Sequence, residues 1–336
     1  MKKNETKKMK QLLIVGAGQL GSRHLQALAG LSGDLYQINV VDPVETSLSI
    51  AKQRYQEVSL VTSPICNFVH SLEELAGEQF EVVVVATNAA IRLQVVKALL
   101  QQVKVKFLIL EKVLFQSAAQ LDEACDLLAE HGVKTWVNCP RRQFVAYQEL
   151  AERFKHAQSL TLNVRGYNWG LGCNAIHFVD LWHYFTDFSD YSLYFAPDCR
   201  IIDSKRSGYK EVLGSLSASS QDQRHHLSLS CLASEDNQVS VEIEATCDNE
   251  RYQLSEREGE IRHLDAQGGV IERTPMQVRY QSQLTNEVVQ TLVATGECPL
   301  TPLSISAMLH KPFLTSAAAL FEPKSPLDPH NLAPIT

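Results

Sequence analysis

The sequence predicts an α/β chain of two domains: a doubly wound parallel sheet over residues 10–140, then an α+β domain with an antiparallel sheet over 141–325. Three observations carry this prediction. Apolar runs alternate with helical periodicity over the first 140 residues, and from about residue 145 the rhythm changes to strands of two-residue alternation. The chain is also long enough, at 336 residues with 45% apolar, to bury a core in each half.

The opening stretch Gln11–Gly21 reads QLLIVGAGQLG. Four apolar residues, Leu12 to Val15, run into Gly16-x-Gly18-x-x-Gly21, and Leu20, Leu25, Leu28 and Leu31 continue at helical spacing. Strand, turn and helix in this order are the setting in which a GxGxxG run holds a dinucleotide; the rival is a structural glycine turn in another α/β fold. The first glycine permits a tight turn, the second lets backbone approach a pyrophosphate, and the third lets helix pack on strand. The helix then offers free N–H groups and its dipole to the phosphates. Gly16, Gly18, Gln19, Leu20 and Gly21 are accordingly cofactor candidates.

Tyr36–Val41 is the second strand, and Asp42 at its end lies 21 residues beyond Gly21. A carboxylate there accepts hydrogen bonds from both adenosine ribose hydroxyls and repels a 2′-phosphate, favouring NAD over NADP. The rival reading is that Asp42 only opens the turn with Pro43. Ser71-x-x-Glu74 is a capping box before a short helix, and Phe80–Ala86 is a continuous apolar strand suited to the middle of a parallel sheet. A helix over 89–101 and a strand at Val105–Leu110 follow. Ser117-x-x-Gln120 caps a helix ending near Gly132, and Val133–Val137 is the sixth strand. Such sheets bind ligands beyond the carboxyl ends of their strands, which singles out Asp42, Thr87 with Asn88, Glu111 with Lys112, and Asn138.

The second half opens with an amphipathic helix bearing Tyr147, Leu150, Ala151 and Phe154, a strand at Ser159–Arg165, a glycine-rich loop and a helix over 173–186. Strands follow at 211–219, 225–232, 238–246, 250–255 and 259–264. Val239, Val241 and Ile243 alternate with Ser240, Glu242 and Glu244, the mark of a sheet with one buried and one wetter face. Helices over 281–295, stopped by Gly296, and 303–321, bent at Pro312, close the chain.

A net charge of -7 argues against nucleic acid as the main partner. Five lysines among the first ten residues read as a solvated terminus, with no apolar run of signal-peptide or membrane-spanning length after them. Eight cysteines without a CxxC pair suit reduced thiols in a cytoplasmic protein, with no disulfide framework and no metal site.

Two constellations carry candidate chemistry. Glu111-Lys112 follows the apolar run FLIL, placing a lysine where a parallel sheet delivers its ligand. Near a nicotinamide, an ammonium can hydrogen-bond a substrate hydroxyl and stabilise negative charge on its oxygen; the rival reading is a solvated strand end. In Gly172 to Asp180, helical spacing puts Cys173, His177, Asp180 and Tyr184 on one face, with Phe178, Trp182 and Phe185 elsewhere. An imidazole is suited to moving a hydroxyl proton near neutral pH, although His177 is equally readable as a histidine satisfied at a domain interface. Tyr167, Asn168 and Trp169 just before this helix are candidates for substrate contact or for packing.

Taken together, GxGxxG, a strand-end Asp42, Glu111-Lys112 after the fifth strand, Arg141 and Arg142 after the sixth, and G-x4-H-x-x-D opening a helix resemble the Gfo/Idh/MocA oxidoreductases. The resemblance implies a Rossmann domain followed by a domain built on a large, mostly antiparallel sheet, whose open face makes homodimers or homotetramers. It implies hydride transfer between NAD or NADP and a carbinol or carbonyl carbon of a sugar, cyclitol or nucleotide-sugar, with surface-polysaccharide synthesis as one setting. The family's catalytic lysine maps to Lys112 and its histidine to His177; beside them Asn168 and Trp169, from their place in the loop, and Asn174 and Asp180 on the helix are the candidates for substrate binding. Val113 stands where the family usually has proline, so no cis bond is expected there. Arg92 replaces a histidine, and Cys173 stands where an aspartate is usual; a thiol cannot supply the same proton relay, leaving Asn174 or Asp180 to compensate. An NAD-dependent glycoside-cleaving enzyme of the same family and a non-catalytic NAD-binding regulatory or interaction protein are the alternatives.

Overall fold

The computed structural model describes residues 9–236, 238–322 and 328–336. The lysine-rich run up to Lys8, and the expected domain end at 325, lie outside them. The chain divides into two compact units. One holds the chain up to Glu111, Ala124–Asn138 and Arg279–Pro302; the other holds Lys112–Glu123, Cys139–Val278 and Leu303–Thr336. The single boundary expected near residue 140 is thus replaced by several crossings. The 279–302 segment groups with the first unit because Val288, Val289, Leu292 and Leu300 join its core.

The first unit contains β1 (Lys10–Val15), α1 (Gln19–Leu28), β2 (Tyr36–Val41), α2 (Glu45–Gln56), β3 (Ile65–Val69), β4 (Gln79–Val85), α3 (Ala89–Gln102), β5 (Lys104–Glu111), most of α4 (Ala118–Glu130) and β6 (Lys134–Asn138). These six strands pair in parallel in the order β6-β5-β4-β1-β2-β3. The order reverses at β1 and β4, the switch point beyond which such sheets bind ligands. Leu12 and Ile14 of β1, Ile38 and Val40 of β2 and Val82 and Val84 of β4 line one buried face, as strands covered on both sides require. The expected capping box forms at Ser71/Glu74, opening a 3₁₀ turn; at the start of α4 Ser117 Oγ accepts the Gln120 N–H at 3.2 Å, while Gln120 Oε1 accepts the N–H of Gln116, one residue earlier than a capping box requires, at 3.1 Å.

The second unit contains α5 (Val145–Phe154), β7 (Leu160–Tyr167), α6 (Leu171–Thr186), β8 (Tyr191–Phe195), β9 (Arg200–Asp203), β10 (Lys210–Ser220), β11 (His225–Leu232), β12 (Ser240–Cys247), β13 (Glu250–Ser255), β14 (Glu260–Leu264) and β15 (Val270–Pro275). The sheet runs β15-β14-β13-β12-β7-β11-β10-β8, with β9 on β10, and is antiparallel except between β7 and β11. On its covered side α5 and α6 bury aromatic rings, Phe154 meeting Phe185 and Tyr252 edge-on at 5.3 and 5.2 Å. After β15 the chain adds α7 (Thr285–Thr295) and β16 (Thr301–Pro302), an antiparallel edge on β6, to the first unit; α8 (Leu303–Phe321) belongs to the second and runs through Pro312. Gly296 ends α7 in the left-handed region, at φ 77°.

Candidate functional site

The three glycines of the β1–α1 turn each answer a different steric demand. Gly16 has φ +95°, a conformation that side chains disfavour, and a Cβ there would press on Thr87 at 3.1 Å. A Cβ on Gly21 would stand 1.8 Å from the Gly16 carbonyl oxygen, so only glycine lets α1 approach the turn. Gly18 is the N-cap of α1, and a Cβ there would meet nothing within 4 Å. The helix start carries no capping side chain and no acidic residue in its first turn. That combination suits an incoming phosphate. Of the neighbouring candidates, Leu20 sits half-exposed in this first turn and Gln19 accepts a 3.0 Å hydrogen bond from Arg54.

Asp42 closes the turn from β2. Its Oδ2 accepts the Ala17 N–H at 2.7 Å and its Oδ1 the Val44 N–H at 2.9 Å, so one carboxylate both shapes the glycine loop and opens the next turn. Each oxygen keeps a second lone pair for a hydroxyl donor. Beside Gly16, Thr87 gives its carbonyl to Arg92, while its Oγ1 is buried without a hydrogen-bond partner among the described residues. An orphaned hydroxyl next to the glycine turn fits a bound cofactor. Asn88 caps α3 by accepting the Ile91 N–H at 3.3 Å.

Glu111 departs from the expectation of a strand-end carboxylate open to a ligand. It is 2% exposed, and its Oε1 accepts from His24 Nε2 at 2.7 Å and Asn138 Nδ2 at 2.6 Å. His24 Nδ1 lies 2.8 Å from the Thr285 hydroxyl and 3.3 Å from Gln281 Nε2, and Gln281 Oε1 accepts from Asn138 at 2.7 Å. An amide donor at Nδ1 and a carboxylate at Nε2 orient the ring with its Nε2–H toward Glu111. Burial without such partners would be costly, so the network explains why acid and imidazole coexist here. Sequence reasoning missed His24, Gln281 and Thr285; His24, three residues after Gly21 on the inward face of α1, carried the only local signal.

In the second unit, Lys112 Nζ donates to the Cys173 carbonyl at 3.2 Å in the first turn of α6, one turn before His177. The Lys112–Val113 peptide is cis, which corrects the expectation of a trans bond. Val113, Leu114 and Phe115 are buried, so packing fixes the local backbone even without proline. His177 is half-buried, with Nδ1 shielded and without a partner among the described residues. Burial, then the positive charges of Lys112 and Arg141 and the neighbouring His310, hold its pKa well below the usual 6.5, leaving a neutral imidazole. Burial, then the Glu211 carboxylate, push the Cys173 thiol up to about 12, with Lys112 opposing. Cys173 is therefore a neutral thiol and no acid–base group at ordinary pH.

Two of the four substrate candidates are corrected. Asp180 is 1% exposed and clamped by Arg142, whose Nε and Nη2 donate at 2.8 and 3.0 Å, so its charge is spent on a buried ion pair. Trp169 is 5% exposed, donates to the Ser230 carbonyl at 2.8 Å and packs edge-on against Phe178. Asn168, at φ 51°, and Asn174 brace the loop through the Gln238 and Trp169 carbonyls while retaining some exposure. Arg141, bound in bidentate fashion to Glu256 at 2.6 and 2.9 Å, lies over the Phe178 ring.

The glycine turn and Asp42 at the switch point of a parallel sheet define the class of dinucleotide-binding Rossmann domains. Residues 10–139 match the Gfo/Idh/MocA family model, described as an oxidoreductase family with an NAD-binding Rossmann fold, and NAD is the cofactor which that description carries. Similar solved structures include UDP-N-acetylglucosamine 3-dehydrogenase GnnA from Acidithiobacillus ferrooxidans, with TM-score 0.67 and 13% identity over 92% of this chain and 97% of that one. Scyllo-inositol dehydrogenase from Lactobacillus casei, with bound NAD(H) and scyllo-inositol, gives 0.65 and 13% over 94% and 98%. The super-repressor mutant of Gal80p from Saccharomyces cerevisiae gives 0.69 and 15% over 94% and 97%. At these identities the likeness is one of fold. No curated protein matches the chain in sequence.

Proposed function

We propose that the protein is an NAD-dependent oxidoreductase acting on a CH–OH or carbonyl carbon of a sugar, cyclitol or nucleotide-sugar, with Lys112 and His177 as its catalytic residues. The observation that carries this reading is the pairing of an ammonium anchored on the first turn of α6 with a neutral imidazole one turn later. His177 is held unprotonated and can take a hydroxyl proton; its shielded Nδ1 leaves Nε2 for the exchange. Lys112 offers donors to the oxygen on which negative charge grows as the proton leaves. When bound, NAD supplies the carbon that takes up or returns the hydride. Asn168 and Asn174 are the remaining candidates for contact with substrate hydroxyls, and assembly through the open face of the second sheet belongs to the same proposal. The substrate class draws on the dehydrogenases of similar fold.

Absorbance at 340 nm, with NAD and NADP against free sugars, cyclitols and nucleotide-linked sugars, tests the reading. NAD-dependent turnover of at least one of them is expected. Released monosaccharide without net NADH would instead identify a glycoside-cleaving enzyme. Cys173 specifically favours a second reading, a non-catalytic NAD-binding protein, since its neutral thiol supplies no proton relay. Tight NAD binding with no turnover across the panel would establish that reading.

A further inference from the structure

The turn before α6 is shaped around a carboxylate from a distant strand. Glu211, the second residue of β10, accepts the Cys173 N–H at 3.1 Å through Oε1 and 3.4 Å through Oε2, and its Oε1 also accepts the Val212 N–H at 3.1 Å. Two glycines make the room: a Cβ on Gly172 would stand 2.4 Å from Oε1, and one on Gly170 2.8 Å from Oε2. Gly170 is the N-cap of α6 and has no side chain to cap with, so Glu211 performs from β10 the service an N-cap residue performs locally. On its other side, Cys173 gives its carbonyl to Lys112 at 3.2 Å. One residue is thereby held between a carboxylate on its N–H and an ammonium on its C=O.

We propose that Glu211 is a positioning residue for Lys112: it clamps the first turn of α6 so that the Cys173 carbonyl aims the ammonium. The inference rests on reading Lys112 and His177 as the catalytic pair. Glu211 acts through Cys173, and the only charge it adds is the one that balances Lys112 across that residue.

Cys173 is itself the reporter, because the thiolate is the alkylated form and both neighbours bear on its ionisation. Alkylation by iodoacetamide, read by mass spectrometry of the Cys173 peptide between about pH 7 and 10, proceeds at a rate proportional to the thiolate present, so the displacement of the rate–pH line between variants reads the change in midpoint and needs no substrate. Glu211→Gln should lower that midpoint by about one unit, roughly tenfold in thiolate at a given pH below it, and Lys112→Ala should raise it. Acetate should restore the wild-type midpoint in Glu211→Ala, whose socket is empty, and not in Glu211→Gln, whose amide fills it. In the turnover assay Glu211→Gln should lose about tenfold or more in kcat with KM and NAD affinity unchanged. An unmoved midpoint in Glu211→Gln overturns the clamp whatever turnover does, and a moved midpoint with unchanged kcat overturns the positioning role. A wild type without turnover defeats the functional reading alone, while the midpoints still decide on the clamp.

Discussion

A methyl group added at Gly18 meets nothing within 4 Å, whereas one at Gly21 collides with the Gly16 carbonyl. Gly18→Ala should therefore leave thermal unfolding unchanged yet weaken NAD by about tenfold or more, since the methyl fills the approach of the phosphates; Gly21→Ala should lose both. Calorimetric titration beside a melting curve separates the two, and equal destabilisation by both changes would contradict these roles. The histidines make a pH prediction. Burial, then the Arg142 charge, bring His183 down to about 4, and His177 also lies well below 6.5. The folded chain then binds fewer protons than the unfolded chain between about pH 4 and 6.5, so stability is full above that window and erodes as pH falls through it. Urea midpoints from pH 7 down to about 4.5 should decline, less steeply in His183→Asn, and a rise on acidification would refute the assignment. The glycine roles were legible in the sequence because they depend on neighbours a few residues away. Glu211 was not, because its partner Cys173 lies 38 positions off and only the pairing of sheet and helix brings them together.

At the scale of elements, α6 is fixed from outside by Arg142, just before α5, reaching the buried Asp180. Removing one partner strands the other charge in the interior, so Arg142→Ala should cost about 3 kcal/mol or more in chemical denaturation, while an exposed pair such as Arg165–Glu242 should cost under about 1 kcal/mol. Equal, small effects would contradict the burial argument. The periodic elements were readable: β1, β2, β4 to β6, β11 and β13 lie within a residue or two of their expected spans because burial enforces their patterns. Strands β9 and β15 were not, since β9 is exposed throughout and β15 nearly so, leaving no apolar alternation to read. The same limit hid β16, two residues long and recruited only by its partner β6.

At the scale of the molecule, the two units are interleaved in sequence, which a linear reading of composition does not reveal. The glycine turn was readable because GxGxxG and Asp42 satisfy local rules, and Lys112 and His177, the pair proposed as catalytic, stood in the sequence only as two separate motifs. Nothing in the sequence distinguished His177, half-buried with a shielded Nδ1, from Asp180 three residues further on, fully buried and consumed by an ion pair. The central claim is that Lys112 and His177 perform proton handling on a scaffold whose NAD binding is independent of them. The most direct measurement compares kcat and NAD affinity in wild type, Lys112→Ala and His177→Ala with a substrate found at 340 nm. A loss of about 10²–10⁴ in kcat for each variant, with NAD affinity unchanged, is the predicted result; variants that turn over at the wild-type rate would contradict it.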